Sequence, residues 1–291
     1  MNFVFYLHDE QSVVDFEQKL LWFKERYNLV SYQDLFDSIY NGKVLKNSCL
    51  LSVDDGWRST YDIIFPVMEK HQVPFTIFVS PEITKSERNF WYHDVKLYDE
   101  SKLKEKLIAE GIFEKGIEKF PIDLILKELK IDTIYQILED FRIENGLPKP
   151  ERAFINEREL LEMHQSGLVE VGAHTMIHPI LSNETRERAE REISESIEGL
   201  HQMLNKQITA FAYPNGLQNL DFSEREIPIL QACGIKTAFM VNPGIITSSI
   251  NPLAIPRVGS IARLKLGRLG IYLPSLANQS NIRKHILKLK K

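Results

Sequence analysis

The run Leu51-Ser52-Val53-Asp54-Asp55-Gly56-Trp57 constrains this chain more than any other stretch, because a buried-type apolar segment stops abruptly at two adjacent carboxylates and a glycine. Ser48 to Val53 is β-rich and bounded by polar residues, so it reads as a buried strand whose C-terminal end presents Asp54 and Asp55 to a cleft. Neighbouring side chains on an extended chain point to opposite faces, so the pair needs a turn at Gly56 before both can serve one site. Like charges held close push their proton affinities apart, which suits one carboxylate to a metal and the other to base chemistry. The competing reading is an N-cap, with Asp54 or Asp55 closing a helix that starts near Trp57.

Around this run, strands and helices alternate. Asn2 to Leu7 reads as a strand ending at His8-Asp9, followed by helical patterns over Ser12 to Tyr27 and Tyr32 to Tyr40. A helix through Tyr61, Ile64 and Met68 follows the Asp-Asp strand, and Phe75 to Ser80 is the next strand. Regular alternation resumes at Asn156, whose Asn-Glu-Arg-Glu start fits a capping box, and continues with strands at Leu168 to Ala173, Ile208 to Tyr213, Lys236 to Val241 and Leu253 to Val258. A charged helix over Glu184 to Leu204 and another over Ser223 to Cys233 separate these strands. Seven strand candidates in this order favour an α/β fold, a closed or nearly closed β/α barrel, over an open doubly wound sheet.

Between about 82 and 150 the pattern changes to short helical segments broken by Gly111, Gly116, Pro121 and Asp132. This reads as a helical insertion in a barrel spanning 1–275, with a basic tail at 276–291. The tail, with Arg283, Lys284, Lys288, Lys290 and Lys291 around Ile282, Ile286, Leu287 and Leu289, reads as a frayed, solvated terminal helix or as a weak contact for anionic lipid head groups. A formal net charge of -4 gives no basic face for nucleic acid. Two distant cysteines make no disulfide framework, and the N-terminal residues lack the pattern of a signal peptide, so a cytoplasmic protein is expected. Nothing in the sequence indicates an oligomeric state.

In a parallel β/α architecture, loops at the C-terminal strand ends converge over one face. The polar residues there are His8-Asp9, Asp54-Asp55, His174 with His178, Tyr213-Pro214-Asn215, and Arg257. Two imidazoles four residues apart, His174 and His178, lie close enough to bind one ion, and a carboxylate from another strand end completes a three-ligand site. Such a set with an open position suits zinc or a similar divalent ion.

These residues resemble a family. Ser52-Val53-Asp54-Asp55-Gly56 is similar to the Thr-Phe-Asp-Asp-Gly motif, and His174-Thr175-Met176-Ile177-His178-Pro179 to the His-Ser/Thr-x-x-His-Pro motif, of the polysaccharide deacetylases of carbohydrate esterase family four, the NodB-homology type. The resemblance covers Met1 to Ser80 and Asn156 to about Tyr272, and does not explain the insertion. It implies a distorted seven-stranded β/α barrel that removes N-acetyl groups from sugars with one divalent ion, Zn2+ first. By resemblance Asp55, His174 and His178 are metal ligands, Asp54 is the general base toward the attacking water, and the backbone N–H of Asn215, in Ala212-Tyr213-Pro214-Asn215-Gly216, is the oxyanion donor.

Three departures accompany the resemblance. Ala212 stands where the family has the arginine that orients the base, which makes Arg257 the candidate partner of Asp54. No Asp-x-x-Asp-Trp-like motif follows Thr237. The late Leu-x-His motif is missing, so His8 is the candidate general acid. Trp57, Trp91 and Tyr213 are candidate faces for a sugar ring. The expected substrate is an N-acetylated sugar, nucleotide-linked or lipid-linked; an amidase acting on a non-sugar amide or imide, and a carbohydrate-binding protein with weak catalysis, are the alternatives.

Overall fold

The computed structural model describes residues 1–247, 249–265, 268–272 and 276–291. The expected end of the barrel at 275 lies outside the described residues. The chain opens with β1 (Phe3–Leu7) and α1 (Val13–Arg26), whose first turn is capped by the Ser12 hydroxyl accepting from the Asp15 N–H. Next come β2 (Asn28–Leu29) and α2 (Tyr32–Tyr40), which starts in a reciprocal Ser31–Asp34 capping box. β3 (Ser48–Asp54) is buried along its whole length. A single π turn, Thr60–Ile64, then runs into α3 (Phe65–Lys70), and β4 (Phe75–Val79) follows.

Five helices separate β4 from the next regular unit: α4 (Pro81–Lys85), α5 (Trp91–Asp94), α6 (Glu100–Ala109), α7 (Ile122–Leu126) and α8 (Ile131–Glu144). The alternation then resumes with α9 (Glu157–Gln165), β5 (Val169–Ala173), α10 (Arg186–Leu204), β6 (Ala210–Ala212), α11 (Glu226–Ala232) and β7 (Thr237–Met240). The chain finishes with β8 (Ile255–Pro256), β9 (Val258–Lys265), β10 (Arg268–Tyr272) and α12 (Leu276–Leu287).

The strands form one sheet in the order β10-β9-β1-β3-β4-β5-β6-β7-β8, parallel throughout except that β10 runs antiparallel on β9. β8 pairs with β7 and β9 pairs with β1, and Arg257 alone separates these two segments in sequence. One stretch of chain therefore touches both ends of the sheet and brings it to a nearly closed barrel. Gly259 allows the seam, because a Cβ there would lie 2.8 Å from the Tyr6 hydroxyl.

The period of two along each strand sorts its side chains. Phe5, Leu7, Leu51, Val53, Ile77 and Val79 face outward into the main core beneath the helices. Val4, Leu50, Phe78, Ala212, Phe239 and Ile255 fill the barrel interior. Asp54 falls in register with Leu50, on the inward set, which aims its carboxylate at the barrel axis.

The helices between β4 and β5 keep a separate apolar cluster, including Phe90, Trp91, Phe113, Ile125 and Phe141. Arg152 ties the exit of this segment to its entry by donating to the carbonyls of Ile83, Thr84 and Ile155. The C-terminal segment corrects the expectation of a frayed, solvated helix. Ile286 is 0 % exposed in the same cluster, and the buried Arg283 donates to Glu128 and, at 2.7 Å, to Asp221. Beyond it, Glu114 N–H donates to Leu289 O at 2.7 Å and Lys291 N–H to Ile112 O at 3.1 Å. Packing overrides a charge pattern that reads as surface. Among the described residues no helix is long and apolar enough to cross a membrane.

Candidate active site

The register brings Leu7, Asp54, Val79, Ala173 and Ala212 to neighbouring strand ends, so His8, Asp55, His174 and Tyr213 leave the sheet together. At the seam Arg257 is fully buried and grips Asp54 with both arms of its guanidinium, Nη1 to Oδ1 at 2.7 Å and Nη2 to Oδ2 at 2.8 Å. Nη1 also donates to Ser52 Oγ. Burial alone would raise the Asp54 proton affinity, but Arg257 and then His174 outweigh it and hold the carboxyl below its usual range. Arg257, the expected partner of Asp54, thus reaches it across the barrel seam, 45 positions after Ala212.

Neither aspartate caps a helix. Asp55 instead leaves β3 with φ +73°, followed by Gly56 at +69°, so the turn begins one residue earlier than the glycine suggests. This left-handed step swings Asp55 to the same side as Asp54. A Cβ on Gly56 would meet Val79 Cγ1 at 3.0 Å, so the turn also needs the missing side chain.

Asp55 Oδ1 lies 3.5 Å from His174 Nε2 and 3.6 Å from His178 Nε2, and the three ligand atoms lie within 4.8 Å of one another. His174 is set by its other nitrogen, Nδ1, which is 2.7 Å from the Ala212 carbonyl; that assigns the proton to Nδ1 and leaves the Nε2 lone pair toward Asp55. Burial, and next the closeness of His174, push the His178 pKa down to about 3, so its ring is neutral. Burial opposes ionisation of Asp55, yet its closeness to His174 and then to His178 holds its carboxyl far below the usual range. Asp55 Oδ1 is buried without a hydrogen-bond partner among the described residues. Two neutral-capable imidazoles, a committed carboxylate and an orphaned oxygen at their centre fit a divalent cation.

The loop carrying both histidines is strained. Thr175 and His178 take φ values of +63° and +62°, uncommon for any residue but glycine and most of all for a β-branched one. Its restraints are the Thr175 hydroxyl, which accepts the His178 N–H, and Glu192 on α10, whose Oε2 accepts the N–H groups of Met176 and Ile177 at 3.0 and 3.2 Å. This restraint by Glu192 is one that its sequence context, one acid among many on a charged helix, does not reveal.

These groups line one cleft of about 740 Å³. His8, Asp54, Asp55, His174, His178, Tyr213 and Asn215 come to it from the barrel, and Trp91, Tyr92, Lys96, Tyr98 and Lys127 from the helical segment opposite. His8 is exposed there, edge-on to Tyr6 at 5.3 Å. Asn215 is held at φ +57°, and its side-chain amide nitrogen has no partner among the described residues.

Two of the expected sugar-binding rings are corrected. Trp91 is 0 % exposed and donates its indole N–H to the His178 carbonyl at 3.4 Å, so it braces the histidine loop. Tyr213 is also 0 % exposed, stacked on Phe222 at 3.6 Å with its hydroxyl on Leu253 O. Trp57 remains partly open and donates to Asp55 Oδ2 at 3.2 Å. Tyr92, Lys96 and Lys127 carry no motif; only the aromatic cluster Asn89 to Asp94 signals the first of them.

A seam-closed β/α barrel with a histidine, histidine and aspartate cluster at its mouth defines a class of deacetylase-like barrels, and the comparisons agree. The family model described as polysaccharide deacetylase matches residues 41–238, and the chain belongs to this family. A poly-beta-1,6-N-acetyl-D-glucosamine N-deacetylase of Staphylococcus aureus is 21% identical over 267 residues, covering 88% of this chain and 72% of the relative. Among solved structures, the Streptococcus pyogenes deacetylase PplD in complex with acetate superposes with a TM-score of 0.59 at 16% identity, over 100% of this chain and 97% of its own. IcaB from Ammonifex degensii gives 0.58 at 16% identity, over 98% and 96%.

Proposed function

We propose that this chain is a metal-dependent hydrolase that removes the N-acetyl group from an N-acetylated amino sugar. The observation that carries the reading is the Asp54–Arg257 pair standing beside Asp55, His174 and His178 in one cleft. A divalent ion held by those three residues, zinc first, would supply Lewis-acid polarisation of the amide carbonyl and acidification of water. Asp54, kept ionised and aimed by Arg257, accepts the proton of the attacking water. The backbone N–H of Asn215 stabilises the oxyanion, and His8 delivers a proton to the leaving amine as the amide C–N bond breaks, giving acetate and a free amino sugar. Arg257 beside Asp54 answers one of the two departures that favour a binding protein with little catalysis, the absent arginine; the missing late histidine is the other.

The named substrate of the Staphylococcus aureus relative is a β-1,6-linked N-acetylglucosamine polymer. The cleft here is walled by the helical segment, and its rim carries Lys96 and Lys127 as well as the acids Asp9, Glu100 and Asp123. Two cations at the rim without an ion pair among the described residues, Lys96 lying 5.8 Å over the Trp57 ring, support a substrate whose sugar is attached to phosphate, nucleotide-linked or lipid-linked. The test is acetate release from nucleotide-linked N-acetyl sugars and from β-1,6 oligomers side by side, with Lys127→Ala as the discriminating variant. A KM raised about 10-fold for the phosphorylated substrates alone, the scale of one lost charge-assisted hydrogen bond, supports the anionic reading. Preferential turnover of neutral oligomers, unchanged by Lys127→Ala, contradicts it.

A further inference from the structure

We infer that Tyr92, supplied by the helical segment opposite the barrel, donates its phenol hydrogen to the carbonyl oxygen of the acetyl group in this cleft. Its hydroxyl oxygen is buried yet has no hydrogen-bond partner among the described residues, although the ring borders the same cleft as the three candidate metal ligands. A buried hydroxyl left unpaired costs about 1–3 kcal/mol. The cost is recovered only when something that accepts a hydrogen bond enters the site.

The position is built. The Tyr92 ring stacks on Phe90 at 5.2 Å and 13°, meets Trp91 edge-on at 5.7 Å, and lies 5.0 Å from the His178 ring. Four aromatic neighbours, Trp57 among them at 6.1 Å, leave the phenol little freedom to turn away. It is therefore a fixed donor that makes no well-formed hydrogen bond among the described residues, with the Asp55 carboxylate as its near neighbour.

The ligand such a place calls for is small and bears an acceptor oxygen where the carbonyl of an N-acetyl group, or one oxygen of acetate, would lie. During hydrolysis that oxygen gains negative charge and collapses back to a carbonyl as the C–N bond breaks. With the backbone N–H of Asn215 at the same oxygen, a second donor from Tyr92 gives two hydrogen bonds that strengthen together in the transition state. Tyr92 is then a catalytic residue in the strict sense of touching the reacting group, and the helical segment is part of the active site as well as its wall. The inference rests on the deacetylase reading for its substrate, but not for the binding of acetate itself.

The experiment uses zinc-loaded full-length protein and Tyr92→Phe, which keeps the aromatic stack. Zinc affinity is measured by chelator competition, acetate affinity by calorimetry, and acetate release by steady-state kinetics. The expected result is zinc affinity within about 2-fold of the parent, acetate bound about 10-fold more weakly, and kcat lowered about 100-fold with little change in KM. The inference is overturned if acetate affinity is unchanged in Tyr92→Phe, if the parent protein does not bind acetate at all, or if zinc affinity falls in step with acetate affinity, which would make Tyr92 a support for Asp55. Weaker acetate binding in the variant, with no acetylated sugar turned over by the parent, would uphold the donor and count against the deacetylase reading alone.

Discussion

At the barrel mouth His8, Asp54, Asp55, His174 and Arg257 stand at or one residue past a strand end, with His178 and Asn215 further along the loops that follow β5 and β6, whereas the opposite wall of the same cleft is set on helices with no regular relation to one another. Asp54, Asp55 and His174 are positioned by a sheet register that the alternation of buried residues already specifies. Tyr92 and Lys127 are positioned by long-range anchors: Arg152 at the root of the segment and Arg283 from the far end of the chain. Asp54, Asp55 and His174 sit where sheet register dictates placement. Access and recognition sit where distant parts of the chain must meet.

The strongest way to sharpen that contrast is Asp54→Asn, on the barrel side. Acetate release should fall by about 10²–10⁴-fold, the range of a lost general base, while bound metal measured by elemental analysis stays at the parent level. Activity retained within a few-fold would mean that the mouth does not work as its register suggests.

On the helical side, Arg283→Met leaves Glu128 and Asp221 buried without their shared cation. Burial already raises both carboxyls against the pull of Arg283, so removing it should cost about 3–5 kcal/mol in urea unfolding. Zinc affinity should not change, because all three ligands belong to the barrel. A loss of metal in this variant would erase the distinction between the two regions.

Glu192→Met probes the border between them. The substitution keeps volume but leaves the N–H groups of Met176 and Ile177 unanswered on a strained loop. Metal affinity should drop about 10–100-fold, as for other residues that orient ligands, and chelator competition reads it directly.

The smallest expected effect is on pH. Unfolded His178 takes up a proton below about pH 6.5, whereas the folded ring resists it down to about 3. Metal-free protein therefore loses stability as pH falls from about 6.5, by about 2 kcal/mol at pH 5. Urea midpoints at pH 7 and pH 5 measure the slope, and His178→Asn should flatten it.

The same contrast explains what was legible in the sequence. Asp54, Asp55, His174, His178 and Arg257 could be placed because each sits at or just beyond a recognisable buried strand. The left-handed step at Asp55 was hidden by Gly56, the residue that more obviously permits a turn. Trp91 and Tyr213 read as open faces because composition cannot tell a ring that borders a cleft from one exposed to it. Arg283 read as solvated because its partners, Glu128 and Asp221, lie 155 and 62 residues away. Tyr92 was visible only as one of a group of aromatic residues. Pairing of that kind follows from tertiary packing, which short-range periodicity does not encode.

The central claim is that Asp55, His174 and His178 hold the ion on which hydrolysis depends. The most direct test is acetate release from an N-acetylated sugar substrate by chelator-stripped protein, by the same protein after one equivalent of Zn2+, and by Asp55→Ala given the same Zn2+. The account predicts release from the second sample alone. Equal release from the stripped protein, or full activity in Asp55→Ala, would contradict it.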